Sequence, residues 1–545
     1  MDRSLPHGMD ALQKIRSNIK RLQIIFVVGC LIFSMLACSQ GYISPVELTA
    51  TALASDHLIT LPPSTPTRVA PTLLLETPTA FQTSLPTVSD PPPDTKTASP
   101  TKTVDPNATP KPPIQYYTQS GDTLPSILGR FGVTKDQIVS SVPIPESGLI
   151  SPNILLIIPD VLTDVYASTL VMPDSEVVFS PSAADFDIEA FINSTDGFLK
   201  SYTEGLSTGV TSGATILKRV ALENSINPRL LLALLEYKSH WVYGKPGNLA
   251  ETEYPMGMII LNKRGLYHQL SWAVQQLSIG YYGWRAGILA ELPFRDGEIL
   301  RMSPGLNAGT ASIQYLFAQL YEKADWVGAL YGTESMPALM ENMFGNYFIR
   351  AESVEPLYEV DLKQPMLELP FVPGRVWGFT GGPHSAWGPD GALAALDFAP
   401  PSSQAGCSPS QEWVTAMAPG VIVRAADGAV IEDLDFDGVE QTGWNIMYMH
   451  IETRDRIEVG TRVETNDKIG HPSCEGGVST GTHTHVVRKY NGEWILADGP
   501  LSFVMSGFTA HNGSALYLGT LTNGTITVIG DENGALTSSI SRPKN

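Results

Sequence analysis

Basic residues are scarce in this sequence: 35 lysines and arginines stand against 55 aspartates and glutamates, a formal net charge of −20 over 545 residues. That deficit argues against a nucleic-acid partner, because phosphate binding needs a basic face. Cysteine is scarcer still, limited to Cys30, Cys38, Cys407 and Cys474. The apolar run from Ile24 to Ala37 is too short to cross a bilayer with confidence. A chain of this length exceeds a single hydrophobic core, so two to four domains are expected.

What is present at the N-terminus reads as an export signal. Lys14, Arg16, Lys20 and Arg21 precede the apolar run, and small residues lead to Cys38. Met35-Leu36-Ala37-Cys38 resembles a bacterial lipobox, which implies a lipid anchor on Cys38 and an extracytoplasmic, cell-wall-facing protein. Residues 1–38 are thus assigned to the signal. Residues 39–113, dominated by Thr, Pro, Ser and Ala, form a linker with too little apolar surface to fold. In an exported chain cleaved at Cys38, Cys407 and Cys474 remain and are expected to form a disulfide.

Order is expected from about residue 114. Gly121-Asp122-Thr123-Leu124 opens a helix, a second helix is predicted near Asp136–Ser140, and Leu155-Leu156-Ile157-Ile158-Pro159 closes the unit. This βααβ pattern over 114–160 resembles a LysM module, which implies binding to glycans that contain N-acetylglucosamine. Residues 183–350 turn helical. Asn227 and Pro228 are good N-cap and first-turn residues for Arg229–Trp241. That helix resembles the one in lysozyme-like transglycosylases that carries a catalytic Glu-Ser pair, but Lys238 precedes Ser239 here. An ammonium group cannot act as the raised-pKa acid of a glycosidase. An all-α, lysozyme-like domain without glycosidase activity is therefore expected. Trp241, Tyr281, Tyr282 and Trp284 are read chiefly as core, with a sugar groove as the alternative.

From about residue 365 the pattern becomes β-rich and Gly-punctuated. Strands are expected near Val414–Ala418, Val421–Ala425, Ala429–Glu432, Asn445–Ile451 and His483–Lys489. In a strand, residues i and i+2 share a face, so His483 and His485 can reach one site. A hydrolytic zinc site needs three N or O ligands and an open position. His384, Asp397 and His485 can supply two imidazoles and a carboxylate, leaving His450 and His483 to orient water and move its proton. His471, in a Pro/Gly/Ser loop, and His511, in the tail, have weaker claims.

His384 with Asp397-Phe398-Ala399, then Tyr448-Met449-His450-Ile451, then Gly477 through His483-Thr484-His485, resembles the lysostaphin/LytM-type zinc metallopeptidases. The resemblance covers roughly 375–500, within a domain placed at 365–510. It implies a mainly antiparallel β fold, Zn²⁺ held by His384, Asp397 and His485, catalytic His450 and His483, and cleavage of peptidoglycan stem or cross-bridge peptides. Twelve residues lie between His384 and Asp397 where the family commonly has three. Asp390, within that insertion, is a competing ligand. Asp433-Leu434-Asp435-Phe436-Asp437-Gly438 resembles the start of an EF-hand loop, but Trp444 holds the twelfth position, and a hairpin is the preferred reading. A non-catalytic wall-binding or hydrolase-activating protein is the alternative function. Residues 511–545 suggest a β-rich tail.

Overall fold

The computed structural model describes residues 111–542 except Ala167 and Ser403. The signal expected over 1–38 and nearly all of the linker lie outside the described residues. The first unit contains β1 (Ile114–Tyr117), α1 (Leu124–Phe131), β2 (Val139–Ser140) and β3 (Leu155–Ile158), in an antiparallel sheet ordered β1-β3-β2. Thr123 and Ser126 form a capping box at the start of α1, and Gly132 ends it in the left-handed region. Ile127, Phe131, Leu156 and Ile158 fill the small core. The second helix expected near Asp136–Ser140 is instead a single 3-10 turn, Lys135–Gln137, followed directly by β2. β-branched Ile138 and Val139 and the prolines at 143 and 145 favour extended chain there.

The middle region is built around α2 (Gly213–Asn224), α3 (Pro228–Ser239), α4 (Leu266–Ala286) and α5 (Ala308–Leu320). The Asn227 side chain accepts the Arg229 N–H at the start of α3, and Pro228 occupies the first turn. Leu230 through Leu235 are wholly buried, so α3 is a core helix on all sides. Helices α4 and α5 approach closely at Gly280, where a Cβ would lie 2.8 Å from the Ser312 Cα. Trp241, Tyr281, Tyr282 and Trp284 are all buried core residues. Glu236 caps the end of α3 by accepting the Val242 and Tyr243 N–H groups. Lys238 donates to the Tyr321 hydroxyl at 2.7 Å, and burial, with Arg295 nearby, lowers its pKa to about 8. Both positions are thereby engaged in holding the helix.

The C-terminal region is dominated by a nine-stranded sheet. Its functional strands are β4 (Trp377–Ser385), β5 (Leu393–Ala399), β6 (Gly420–Ala426), β7 (Ala429–Asp433), β8 (Trp444–Met449) and β9 (Thr484–Tyr490). They run β6-β7-β8-β9-β5-β4, with every adjacent pair antiparallel. One face of this sheet packs on an apolar cluster that includes Phe379, Leu396, Phe398, Val430, Ile446, Tyr448 and Val486. Residues of the tail form a second, four-stranded antiparallel sheet over 504–529, and Ser539–Ile540 returns to pair with β4.

The helical region and the large sheet are pinned together by buried groups. Arg285 at the end of α4 donates Nε to Glu493 Oε1 at 3.0 Å and Nη2 to Asp174 Oδ2 at 2.9 Å. Its Nη1 donates to the Ser120 carbonyl of the first unit. One guanidinium therefore ties all three parts of the described chain.

Candidate metal centre

The stretched His384–Asp397 spacing is absorbed by a pair of neighbouring strands. His384 lies near the end of β4 and Asp397 in β5; the register pairs Gly381 with Asp397 and His384 with Ala395, with irregularities between them. Those bulges let a long connection return both side chains to one point. Gly381 is needed there, because a Cβ would sit 2.6 Å from Asp397 Oδ2. On the other side of β5, Asp397 pairs with His485 of β9, and His485 pairs with Met449 of β8. His450 follows β8 at φ +64°, a left-handed conformation that turns its ring toward the same site.

All four imidazoles are oriented by backbone carbonyls. His384 Nδ1 donates to Gly382 O at 2.8 Å and His485 Nε2 to Ala386 O at 3.1 Å. His450 Nδ1 donates to Glu475 O at 3.0 Å and His483 Nδ1 to Gly481 O at 2.8 Å. With one N–H spent in this way, the second nitrogen of each ring carries a lone pair. His384 Nε2 and His485 Nδ1 are 3.0 Å apart, and they lie 3.3 and 3.1 Å from Asp397 Oδ1. With both rings neutral, these three buried atoms converge as acceptors. A metal cation satisfies that arrangement, and two imidazoles with a carboxylate are a zinc donor set.

His483 Nε2 lies 3.7 Å from Asp397 Oδ1, just outside the triad, and its ring centroid is 4.4 Å from that of His450. Burial, reinforced by His483 and His485, pushes His450 down to about 3, so it is neutral across the physiological range. Burial alone would raise Asp397, but His384 and His483 outweigh it and hold the carboxyl well below the usual range. The competing Asp390 is exposed and accepts from Gln275 at 3.1 Å, apart from the triad. His471 donates to Glu412 O and stacks near Trp413, while His511 bonds Thr522; neither enters the centre. Thr484, between the two histidines, is fully buried on the opposite face.

Cys407 and Cys474 form a disulfide with Cα atoms 5.7 Å apart. Next to it, Thr482 N–H donates to Gly406 O at 3.1 Å and its hydroxyl to Ser408 O at 2.6 Å. The loop carrying His483 is thereby fastened to the 405–410 segment.

Two contributions to the site were missed in the sequence. The tail sends Tyr517 onto His384, ring centroids 4.2 Å apart, while its carbonyl accepts the Gly382 N–H. The helical region supplies a wall: Lys263, Tyr267, His268, Trp272 and Gln275 line the same ≈ 800 Å³ cleft as the four histidines. Neither lies in a motif; Tyr517 sits at φ +65° in a loop whose sequence gives no sign of it.

Residues 170–355 match the family model described as the LasA N-terminal domain. Protease LasA of Pseudomonas aeruginosa is 27% identical over 345 residues, an alignment spanning 61% of this chain and 76% of that protein. Over much of its length the chain is similar to LasA-type proteases. The shared segment is longer than the metal-bearing region, so the helical part belongs to the LasA-like homology as well. A beta-lytic metalloendopeptidase of Lysobacter enzymogenes is 26% identical over 136 residues, 25% of this chain and 74% of that protein. Among solved structures, the M23 metalloprotease pseudoalterin covers 31% of this chain and 96% of its own at 22% identity and a TM-score of 0.26.

Proposed function

We propose that this LasA-like chain is an exported zinc endopeptidase that hydrolyses peptide bonds in peptidoglycan. The observation that carries the reading is the convergence of His384, Asp397 and His485 beside the closely packed His450–His483 pair. Zinc is the metal this donor set takes; bound there, it supplies Lewis acidity to a scissile carbonyl and to the attacking water. The protein's own residues do the rest. His450 and His483 orient the water through their free Nε2 atoms and accept its proton. An imidazolium formed in this way hydrogen-bonds the developing oxyanion, then passes the proton to the departing amine. The Tyr267, His268 and Trp272 wall faces the centre across the cleft and confines the substrate chain between helix and sheet. The protease name of the LasA relative and the metalloendopeptidase name of the beta-lytic one support the reaction class.

Peptidoglycan as substrate, glycan binding through residues 114–160 and a lipid anchor at Cys38 are parts of the same proposal. They rest on the sequence resemblances.

The test is digestion of purified cell-wall sacculi by the full chain, with masses of the released fragments. Peptide-bond cleavage leaves muropeptides with new amine and carboxyl ends and intact glycan. Products cut at glycosidic bonds would contradict the reaction class. Binding to sacculi without release of any fragment would support a non-catalytic wall-binding protein instead.

A further inference from the structure

The hairpin joining β7 to β8 carries Asp433, Asp435 and Asp437, whose nearest oxygens all lie within 4.8 Å of one another. Among the described residues no lysine or arginine pairs with any of the three; Arg462 lies over the Phe436 ring of the same hairpin, 5.1 Å from its centroid. The carboxylates are held by short-range donors only. Asp433 accepts the N–H groups of Asp435 at 3.0 Å and Gly438 at 2.8 Å, and Asp437 accepts Val439 N–H and the Thr442 hydroxyl. Hydrogen bonds of this kind occur in any Asp/Gly hairpin and say nothing about a ligand.

Asn445 supplies the independent observation. It is fully buried, and its Oδ1 has no hydrogen-bond partner. The amide orientation is not free: Nδ2 donates to Thr442 O at 2.7 Å, so a flipped amide would set two oxygens against each other. Asn445 is the cross-strand partner of Asp433. The bond from Leu434 N–H to Trp444 O makes this a non-hydrogen-bonded pair, in which facing side chains are about 5 Å apart on one side of the sheet. An orphaned buried carbonyl oxygen therefore shares the hairpin face with a carboxylate. Asp435 leans over the same strand, since a Cβ on Gly443 would touch its Oδ2 at 1.9 Å.

We propose that Asp433, Asp435, Asp437 and Asn445 form a calcium-binding site at this hairpin. Four side-chain oxygens, with no nitrogen or sulfur, suit a hard cation, and Ca²⁺ takes roughly 6–8 oxygens in adaptable geometry, the remainder from backbone carbonyls or water. Asn445 replaces the glutamate that Trp444 displaces from the twelfth loop position. Mg²⁺ is disfavoured, because it holds most of its waters and uses one or two carboxylates. The site clamps the β7–β8 turn, and β8 ends at Met449, just before His450, so calcium stiffens the strand that presents a proposed catalytic histidine. It makes no contact with the zinc ligands, and its occupancy is measured separately from activity.

The experiment is equilibrium dialysis and thermal unfolding of the full chain over a calcium titration, with magnesium in parallel. The expected result is about one saturable calcium per chain with a midpoint of about 0.1–1 mM. The unfolding midpoint should rise by about 3 °C at saturation. Asp435 and Asp437 are exposed, so Asp435→Asn and Asp437→Asn should fold as the parent does and bind at least about tenfold more weakly. Absence of saturable binding up to about 10 mM calcium, well above that affinity range, would overturn the proposal. So would equal binding by both variants, or an equal shift with magnesium.

Discussion

Tyr517 stacks on His384, with ring centroids 4.2 Å apart and planes 24° from parallel. The tail beyond the predicted peptidase boundary is thus part of the metal centre. Such a stack holds the imidazole against rotation, and aromatic pairs of this kind contribute about 1 kcal/mol beyond buried area. Tyr517→Ala should lower metal affinity and kcat/KM by about fivefold each. Tyr517→Phe, which keeps the stack, should stay within about twofold of the parent in metal affinity. Metal-competition titrations and steady-state kinetics on the two variants check this.

Arg285 and Glu493 join the end of α4 to the strand following β9, with Glu493 almost fully buried. Removing one partner strands the other charge away from water, which costs about 3–5 kcal/mol. Glu493→Ala should therefore lower the unfolding midpoint strongly, with near-equal loss in Arg285→Ala. The double variant should cost much less than the sum. Denaturant unfolding of the three variants measures that non-additivity.

Stability should depend on pH through two buried carboxyls distant from the metal ligands. Burial pushes Glu432 up to about 8; its one bonded oxygen accepts the Tyr448 hydroxyl. Its folded pKa exceeds the unfolded value, so the stability it contributes is complete below about pH 4.5 and is lost as pH rises through 8. Between those limits the loss is on the order of 1.4 kcal/mol per pH unit. Glu432→Gln should flatten the profile on that side. Burial alone would raise Glu440, but Arg424 and Lys489 bring it to about 2. Its contribution has the opposite sign: present above the unfolded pKa and lost as pH falls toward 2. Urea unfolding of the parent and Glu432→Gln from pH 5 to 9 gives the slope directly.

The grouping of His384, Asp397 and His485 was legible in the sequence because a candidate metal site draws on only a few residue types. His483 and His485 alternate within a strand, and period two alone puts them on one face. Asp397 was preferred to Asp390 because it stands in the Asp-Phe-Ala motif that resembles the lysostaphin/LytM-type peptidases. The expected strand ends were off by one to three residues, and the second helix near 136–140 became a 3-10 turn because β-branched residues and nearby prolines outweighed its polar start. Tyr517 and the helical wall could not be read in this way. Both reach the site through long-range packing, with no local periodicity to mark them. The Asn445 role depends on an unpaired atom and a cross-strand register, neither of which exists before folding.

The central claim is that His384, Asp397 and His485 hold a catalytic zinc ion while His450 and His483 move protons beside it. Zinc content and endopeptidase activity, measured together on His485→Ala and His483→Ala, test it most directly. About one zinc per chain is expected in the parent and in His483→Ala, and almost none in His485→Ala. Activity should be lower by about 10² or more in both variants. Full zinc in His485→Ala, or parental activity in His483→Ala, would contradict it.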